Sequence, residues 1–181
     1  MKSYVALLRG IGPSNPNMRN DKLRQLFDDL GFRNVRTVIS TGNVLFESSS
    51  SAVRAMEATV EEALPKQLGF TSTTIIRSRQ QLQALVDRDP FSAIEHSAKT
   101  NLNVTFLKTK PRTKLTFPYR PKGRDYTILG LYDRDICSLI DLTSARTPDL
   151  MRWLEKEFGK DITTRTYRTV GRILSRLSEA G

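Results

Sequence analysis

The sequence predicts an α+β protein of two ferredoxin-like (βαββαβ-type) units with antiparallel sheets, packed as one compact body. Three observations carry that expectation. Residues 1–78 read as β-α-β-β-α-β, the split order in which two helices cover one face of an antiparallel sheet. Residues 79–181 read as a rougher β…ββαβ unit with an added helix at each end. Three times a helix closes on glycine next to a strand, at Gly31-Phe32, Gly69-Phe70 and Phe158-Gly159. No fixed-period repeat and no flexible linker interrupts the chain.

The elements follow in order. Residues 3–9 form an apolar run too short for a helix before Gly10, and so a buried strand. Gly10 to Asn17, rich in Gly, Pro and Asn, breaks regular structure. Leu23, Leu26, Phe27 and Leu30 then recur at helical spacing over about 20–30, and Gly31 suits the position after the helix end. Residues 34–39 and 44–47 are short strands around Thr41-Gly42-Asn43, where Gly-Asn signals a two-residue type II′ hairpin. Val53, Met56, Val60 and Leu64 mark a helix over 52–64, ended by Pro65, and residues 71–77 read as a strand.

In the second half a short helix at 79–87 stops at Asp89-Pro90. Strands are expected at 102–108, 125–132 and 136–142, with a three-proline loop before the second and a hairpin turn at 132–136. A helix at 148–158, a strand at 162–165 and a helix at 166–178 complete the chain.

Composition narrows the function. The chain of 181 residues is 38% hydrophobic and 27% charged, an ordinary globular balance. It has no apolar run of transmembrane length, and its start reads as a strand rather than a cleaved leader. One cysteine and one histidine exclude disulfide frameworks, Cys/His zinc sites and CxxC redox chemistry. A cytoplasmic protein without metal, cofactor or membrane association is expected.

Charge is the strongest compositional signal. The 29 Lys and Arg against 19 Asp and Glu leave a net charge of +10. Residues 99–125 contribute +7 and residues 162–178 contribute +4, so the remainder is near neutral. Such clusters neutralise phosphates and steer anionic partners; equally, they serve as a solvated surface.

Several segments together resemble a bacterial family described only as domain of unknown function 1697. They are Tyr4-Val-Ala-Leu-Leu-Arg-Gly-Ile11, Leu23-Arg-Gln-Leu-Phe27 with Leu30-Gly-Phe32, and Val35-Arg-Thr-Val-Ile-Ser-Thr-Gly-Asn-Val-Leu-Phe46. Pro90-Phe91 and the late Ile162-Thr-Thr-Arg-Thr-Tyr-Arg-Thr-Val170 extend the resemblance over essentially the whole chain. The resemblance implies two ferredoxin-like subdomains and no activity. Two departures stand out. The family follows the position of Ile11 with Asn and a Gly-Gly pair, where this chain has Gly12-Pro13-Ser14-Asn15-Pro16. The late motif elsewhere reads Thr-Arg-Asn-Trp-Asn-Thr, and here Thr166 and Arg168 replace both asparagines.

Candidate site residues gather at loop and helix boundaries. At Arg9-Gly10-Ile11-Gly12 the glycines let backbone N–H groups approach an anion, and Arg9 suits a bidentate contact to phosphate or carboxylate. The stretch lacks a Walker lysine and a third glycine, so a plain surface loop is the simpler reading. Asn43 either closes its hairpin or reaches a ligand from it. Arg168, Arg172 and Arg176 share one face of the last helix, opposite Val170, Ile173, Leu174 and Leu177, as a phosphate-binding stripe or a solvated face. Thr164 and Arg165 directly precede that helix, where hydroxyl, N–H groups and guanidinium suit one anion.

Catalytic candidates are few. Glu57, Glu61 and Glu62 lie along a helix, Asp133 and Asp135 flank a turn, His96 reads as a loop residue, and Cys137 as a small core side chain. The leading expectation is a non-enzymatic basic module that binds RNA, DNA or a phosphorylated small molecule, with an open sheet face available for base stacking. The alternative is a small-metabolite enzyme or sensor with an anion site at Arg9 or Arg165 between the subdomains. A third is a homodimer formed through open sheet faces.

Overall fold

A computed structural model of the chain describes residues 1–94, 97–143 and 149–179. Among these, the strands form two four-stranded, wholly antiparallel sheets of matching order. Contacts divide the chain into two units: Met1–Gln83 with the chain from Arg172 onward, and Ala84–Gly171.

The first unit runs β1 (Lys2–Leu8), α1 (Asn20–Asp29), β2 (Arg33–Thr37), β3 (Asn43–Ser48), α2 (Val53–Ala63) and β4 (Thr74–Ser78). Its sheet order is β2-β3-β1-β4, the ferredoxin-like arrangement the element order predicts. Tyr4, Ala6, Leu8, Val44, Phe46 and Ile76 alternate onto one face and meet Leu23, Leu26 and Phe27 of α1 and Met56 and Val60 of α2 in one core. The ring of Phe46 lies 5.6 Å from Tyr4 and 4.5 Å from Phe32.

The opposite face is buried too: Val5, Leu7, Leu45 and Ile75 are at most 1% exposed. This is why β1 reads as an unbroken apolar run instead of alternating. It also corrects the expectation of an open sheet face for base stacking or dimerisation, since both faces of the central strands are shielded from water.

Two local devices shape this unit. Gly31, at φ +81°, closes α1 by donating to Asp28 O while Phe32 N–H donates to Phe27 O, which turns the chain directly into β2. Pro65 falls in a wide turn, Leu64–Leu68, that ends α2. The β2–β3 connection differs from the expected two-residue turn. It is a five-residue loop, residues 38–42, with Ile39 at φ +60° and Gly42 at φ +72°. Asn43 is the cause: it is fully buried as the first residue of β3, and its Nδ2 donates to Val38 O (2.9 Å) and Thr41 Oγ1 (3.0 Å) across the loop.

At the edge, β4 presents backbone N–H groups that no strand receives. Glu57 and Glu61, one helical turn apart on α2, take them: Glu57 Oε1 accepts from Ile76 N–H at 2.9 Å and Glu61 Oε1 from Thr74 N–H at 2.8 Å. The carboxylates set aside as catalytic candidates thus serve the sheet.

Between the units in sequence lies α3 (Arg79–Asp87). The second unit then runs β5 (Thr100–Leu107), β6 (Tyr126–Tyr132), β7 (Asp135–Asp141), α4 (Leu150–Phe158), β8 (Ile162–Thr166) and the start of α5 (Tyr167–Ser178). The sheet order β6-β7-β5-β8 repeats that of the first unit. Where the first unit has α1, this one has residues 108–125, whose prolines exclude a helix. That segment bonds as an isolated bridge, Tyr119 to Ile128. It supplies Phe117 and Tyr119 to a core of Leu107, Tyr126, Ile128, Ile136, Leu154 and Ile162. Leu102, Val104, Phe106 and Cys137 are buried on the other face.

Candidate functional site

Four arginines converge within the first unit. Arg24 on α1, Arg36 on β2, and Arg172 and Arg176 on α5 line one groove of about 810 Å³. Each is delivered by its element's periodicity. Arg24 lies beside the apolar stripe of α1, Arg36 is half-buried on its strand, and Arg172 and Arg176 stand one turn apart, opposite the buried Ile173, Leu174 and Leu177. Thr37 and Ser175 add hydroxyls, and Val38, Ile39 and Leu45 add an apolar wall.

Hydrogen bonds fix the cations. Arg24 Nη1 donates to Thr37 Oγ1 at 3.1 Å, and Arg36 Nη2 donates to the backbone carbonyl of Arg176 at 3.1 Å. The Nε of Arg36 is buried without a hydrogen-bond partner. Glu179 is the carboxylate of the groove, and it accepts from Arg176 Nη1 at 3.0 Å. Four guanidinium groups against one carboxylate leave a local excess of positive charge, concentrated further by the concave surface. Ile39 forms part of the wall in a left-handed conformation and is 38% exposed, an unusual state for a β-branched residue.

Of the residues singled out in the sequence, Arg172 lines this groove, and Arg176 joins it from the same stripe. Arg168, on that stripe as well, is exposed near the start of α5 and does not line it. Arg9, Gly10 and Gly12 lie apart from it: Arg9 N–H donates to Thr73 O, Ser72 Oγ donates to Arg9 O, and Gly10 adopts φ +71°. Asn43 is enclosed by its own loop, as described above. Thr164 lies within β8, its Oγ1 2.7 Å from Thr105 Oγ1. Arg165 is 9% exposed, donates to Thr163 Oγ1 and Thr164 O, and has its pKa lowered to about 10 by burial. Thr166 caps α5 by accepting from Thr169 N–H at 3.2 Å.

Arg24 and Arg36 were missed by the charge argument, because neither belongs to a basic cluster. Their signal lay elsewhere: both sit inside segments that carry the family resemblance, Leu23-Arg-Gln-Leu-Phe27 and Val35-Arg-Thr37. Cys137 is fully buried, and burial pushes its thiol up to about 12. His96 lies outside the described residues. Among the described residues, no three His, Cys, Asp or Glu side chains form a group fit for a metal ion, and no helix is long and apolar enough to cross a membrane.

Fold and groove together define an α+β protein of two ferredoxin-like sheets with a four-arginine recess in the first unit. The model of the family described as "Protein of unknown function (DUF1697)" matches residues 1–136, and the chain belongs to that family. A solved structure, that of the conserved bacterial protein SP0830 from Streptococcus pneumoniae, is similar in fold. It superposes with a TM-score of 0.74 at 20% identity, covering 98% of this chain and 99% of that one. No curated protein sequence matches the chain.

Proposed function

We propose that the protein binds a phosphate-bearing ligand, with the arginine groove of the first unit as its site. The observation that carries the reading is the convergence of Arg24, Arg36, Arg172 and Arg176, from three separate elements, on one recess. Guanidinium groups bind phosphate oxygens in pairs, and an apolar wall beside them suits the base or carbon skeleton attached to that phosphate. A volume of about 810 Å³ matches one nucleotide-sized molecule, free or as one unit of a nucleic-acid strand. The carboxylate present is held by an arginine, so the groove is built for binding rather than for proton transfer.

The test is binding of adenosine diphosphate and of a short single-stranded RNA at two salt concentrations. The proteins compared are the wild type, Arg172→Glu with Arg176→Glu, and Arg168→Glu. The double reversal should weaken binding by at least about tenfold, as expected for lost charge-assisted contacts, whereas Arg168→Glu should weaken it less. For RNA, log affinity should fall with log salt by about 0.7 per phosphate contacted. Failure of both probes to bind at low salt, or equal weakening by the double reversal and by Arg168→Glu, would overturn the reading.

A further inference from the structure

Strand register allows the two units to be compared residue by residue. In the first sheet Val5 on the central strand pairs with Leu45 and Arg77; in the second, Val104 pairs with Cys137 and Arg165. The neighbouring positions on the core-facing side then correspond as Tyr4 to Asn103, Ala6 to Thr105, Phe46 to Ser138 and Ile76 to Thr164. In the first unit these four residues are the centre of the apolar core. In the second all four are polar, and Asn103, Thr105 and Ser138 are at most 5% exposed.

The polar groups are only partly satisfied. Thr105 and Thr164 share one hydrogen bond, and Thr164 Oγ1 also donates to Met151 Sδ at 2.9 Å. Asn103 Nδ2 reaches Asn101 O at a long 3.3 Å, and Asn103 Oδ1 has no partner among the described residues. Ser138, beside Asn103 in the register, has a buried Oγ with no partner. A buried hydroxyl without a partner, as at Ser138, is destabilising, and an apolar side chain fills the same position in the first unit without that penalty.

A cavity of about 550 Å³ opens beside two of these residues: Asn103 and Thr164 line it with Ile140, and Leu150, Met151 and Arg152 of the first turn of α4 line it as well. Asp149, at the N-cap, gives no side-chain cap to that turn, because its carboxylate pairs with Arg124 at 2.7 Å. Among the described residues no side chain caps that first turn, and its residues line the cavity.

We propose that this cavity binds a small organic oxyanion, its carboxylate or phosphate held by the α4 N-terminus and Arg152, and a hydroxyl of the same molecule held by Asn103 and Thr164. The site is separate from the arginine groove and does not depend on the function proposed for it. Helix N-terminal N–H groups are general oxyanion donors, and Asn103 supplies both a donor and an acceptor for a neighbouring hydroxyl.

The test is a nuclear magnetic resonance titration of isotope-labelled protein with lactate, glycerol 3-phosphate and inorganic phosphate, at constant ionic strength set with chloride. Saturable shifts are expected at the amides of Leu150, Met151 and Arg152 and at the Asn103 side chain. The stronger of the two organic probes tells a carboxylate from a phosphate site. Arg152→Glu should weaken binding by about tenfold, while Lys156→Glu, on the same helix but outside the cavity, and Arg172→Glu, in the arginine groove, should match the wild type. Asn103→Leu with Thr164→Val, which restores the apolar pattern of the first unit, should abolish binding in a folded protein. If that double variant does not fold, the Arg152→Glu and Lys156→Glu pair decides. Three outcomes overturn the proposal: no saturating shift at these amides with any probe, equal weakening by Arg152→Glu and Lys156→Glu, or unchanged binding by the folded double variant.

Discussion

The side chain of Ile11 lies directly over Gly42, so closely that a Cβ on Gly42 would stand 2.6 Å from Ile11 Cγ1 and 3.1 Å from Leu8 Cβ. The two residues belong to the Leu-Arg-Gly-Ile and Thr-Gly-Asn segments, which the fold brings together at the end of β1. Leu8 N–H donates to Gly42 O at 2.9 Å and reinforces the contact. The glycine is required twice here, once for its φ of +72° and once for the missing side chain.

Gly42→Ala should therefore destabilise the protein by about 2–4 kcal/mol, the sum of left-handed strain and overpacking. Adding Ile11→Ala should cost less than the two single changes summed, because the 2.6 Å approach to Ile11 Cγ1 is removed while only that to Cβ, at 2.9 Å, remains. Urea denaturation of the two single variants and the double measures this; simple additivity would show that the contact is not the cause.

Glu57 offers a second check. It is 1% exposed and its Oε1 holds the edge N–H of Ile76. Glu57→Ala should lower stability by about 1–3 kcal/mol, the range for leaving a buried N–H donor without its acceptor. Glu57→Gln keeps an acceptor at that place and should lose less. Equal losses for the two variants would assign the effect to packing.

The helices that follow the two edge strands begin alike. Ser78 Oγ accepts from Gln81 N–H at 3.2 Å while Gln81 Oε1 accepts from Ser78 N–H at 2.9 Å, a reciprocal cap at α3. Thr166 caps α5 in one direction. Ser78→Ala and Thr166→Ala should each cost about 1 kcal/mol, with the larger loss at Ser78, as read from thermal denaturation. No change in either would deny the caps a part in stability.

Cys137 gives the protein a pH-dependent stability. Burial raises its thiol from 9.0 to about 12, so above pH 9 the unfolded chain releases this proton while the folded one keeps it. The unfolded state then binds fewer protons, and stability falls as pH rises from about 9 towards 12. Between about pH 8 and pH 10 this loss should approach 1.4 kcal/mol and be absent in Cys137→Ala. Tyr126, also raised to about 12 by burial and by Asp149, adds a loss that begins one unit higher, from its ordinary value of 10.0. Arg165, lowered to about 10, opposes both at the alkaline end. Urea titrations at the two pH values separate the variants, and an unchanged slope in Cys137→Ala would refute the assignment.

Local sequence determined the elements. The unbroken run Tyr4–Leu8, the helical spacing of Leu23, Leu26 and Phe27, and the glycines after α1 and α4 each encode their structure within a few residues, through backbone preference and side-chain period. The proline-rich stretch in place of a helix was legible for the same reason, and so was the exposed arginine face of α5. Tertiary structure decided everything that needed two distant segments. It buried Asn43 instead of exposing it, enlarged the β2–β3 turn, and buried residues on both faces of the central strands. It set Arg77 and Arg165 at matching registers, where each donates back to the carbonyl before it. It also joined Arg36 to the carbonyl of Arg176, 140 residues away, and so formed a groove from arginines of which two belong to no basic cluster. Periodicity fixes the direction a side chain takes from its own element, while the company it meets depends on how the elements fold together.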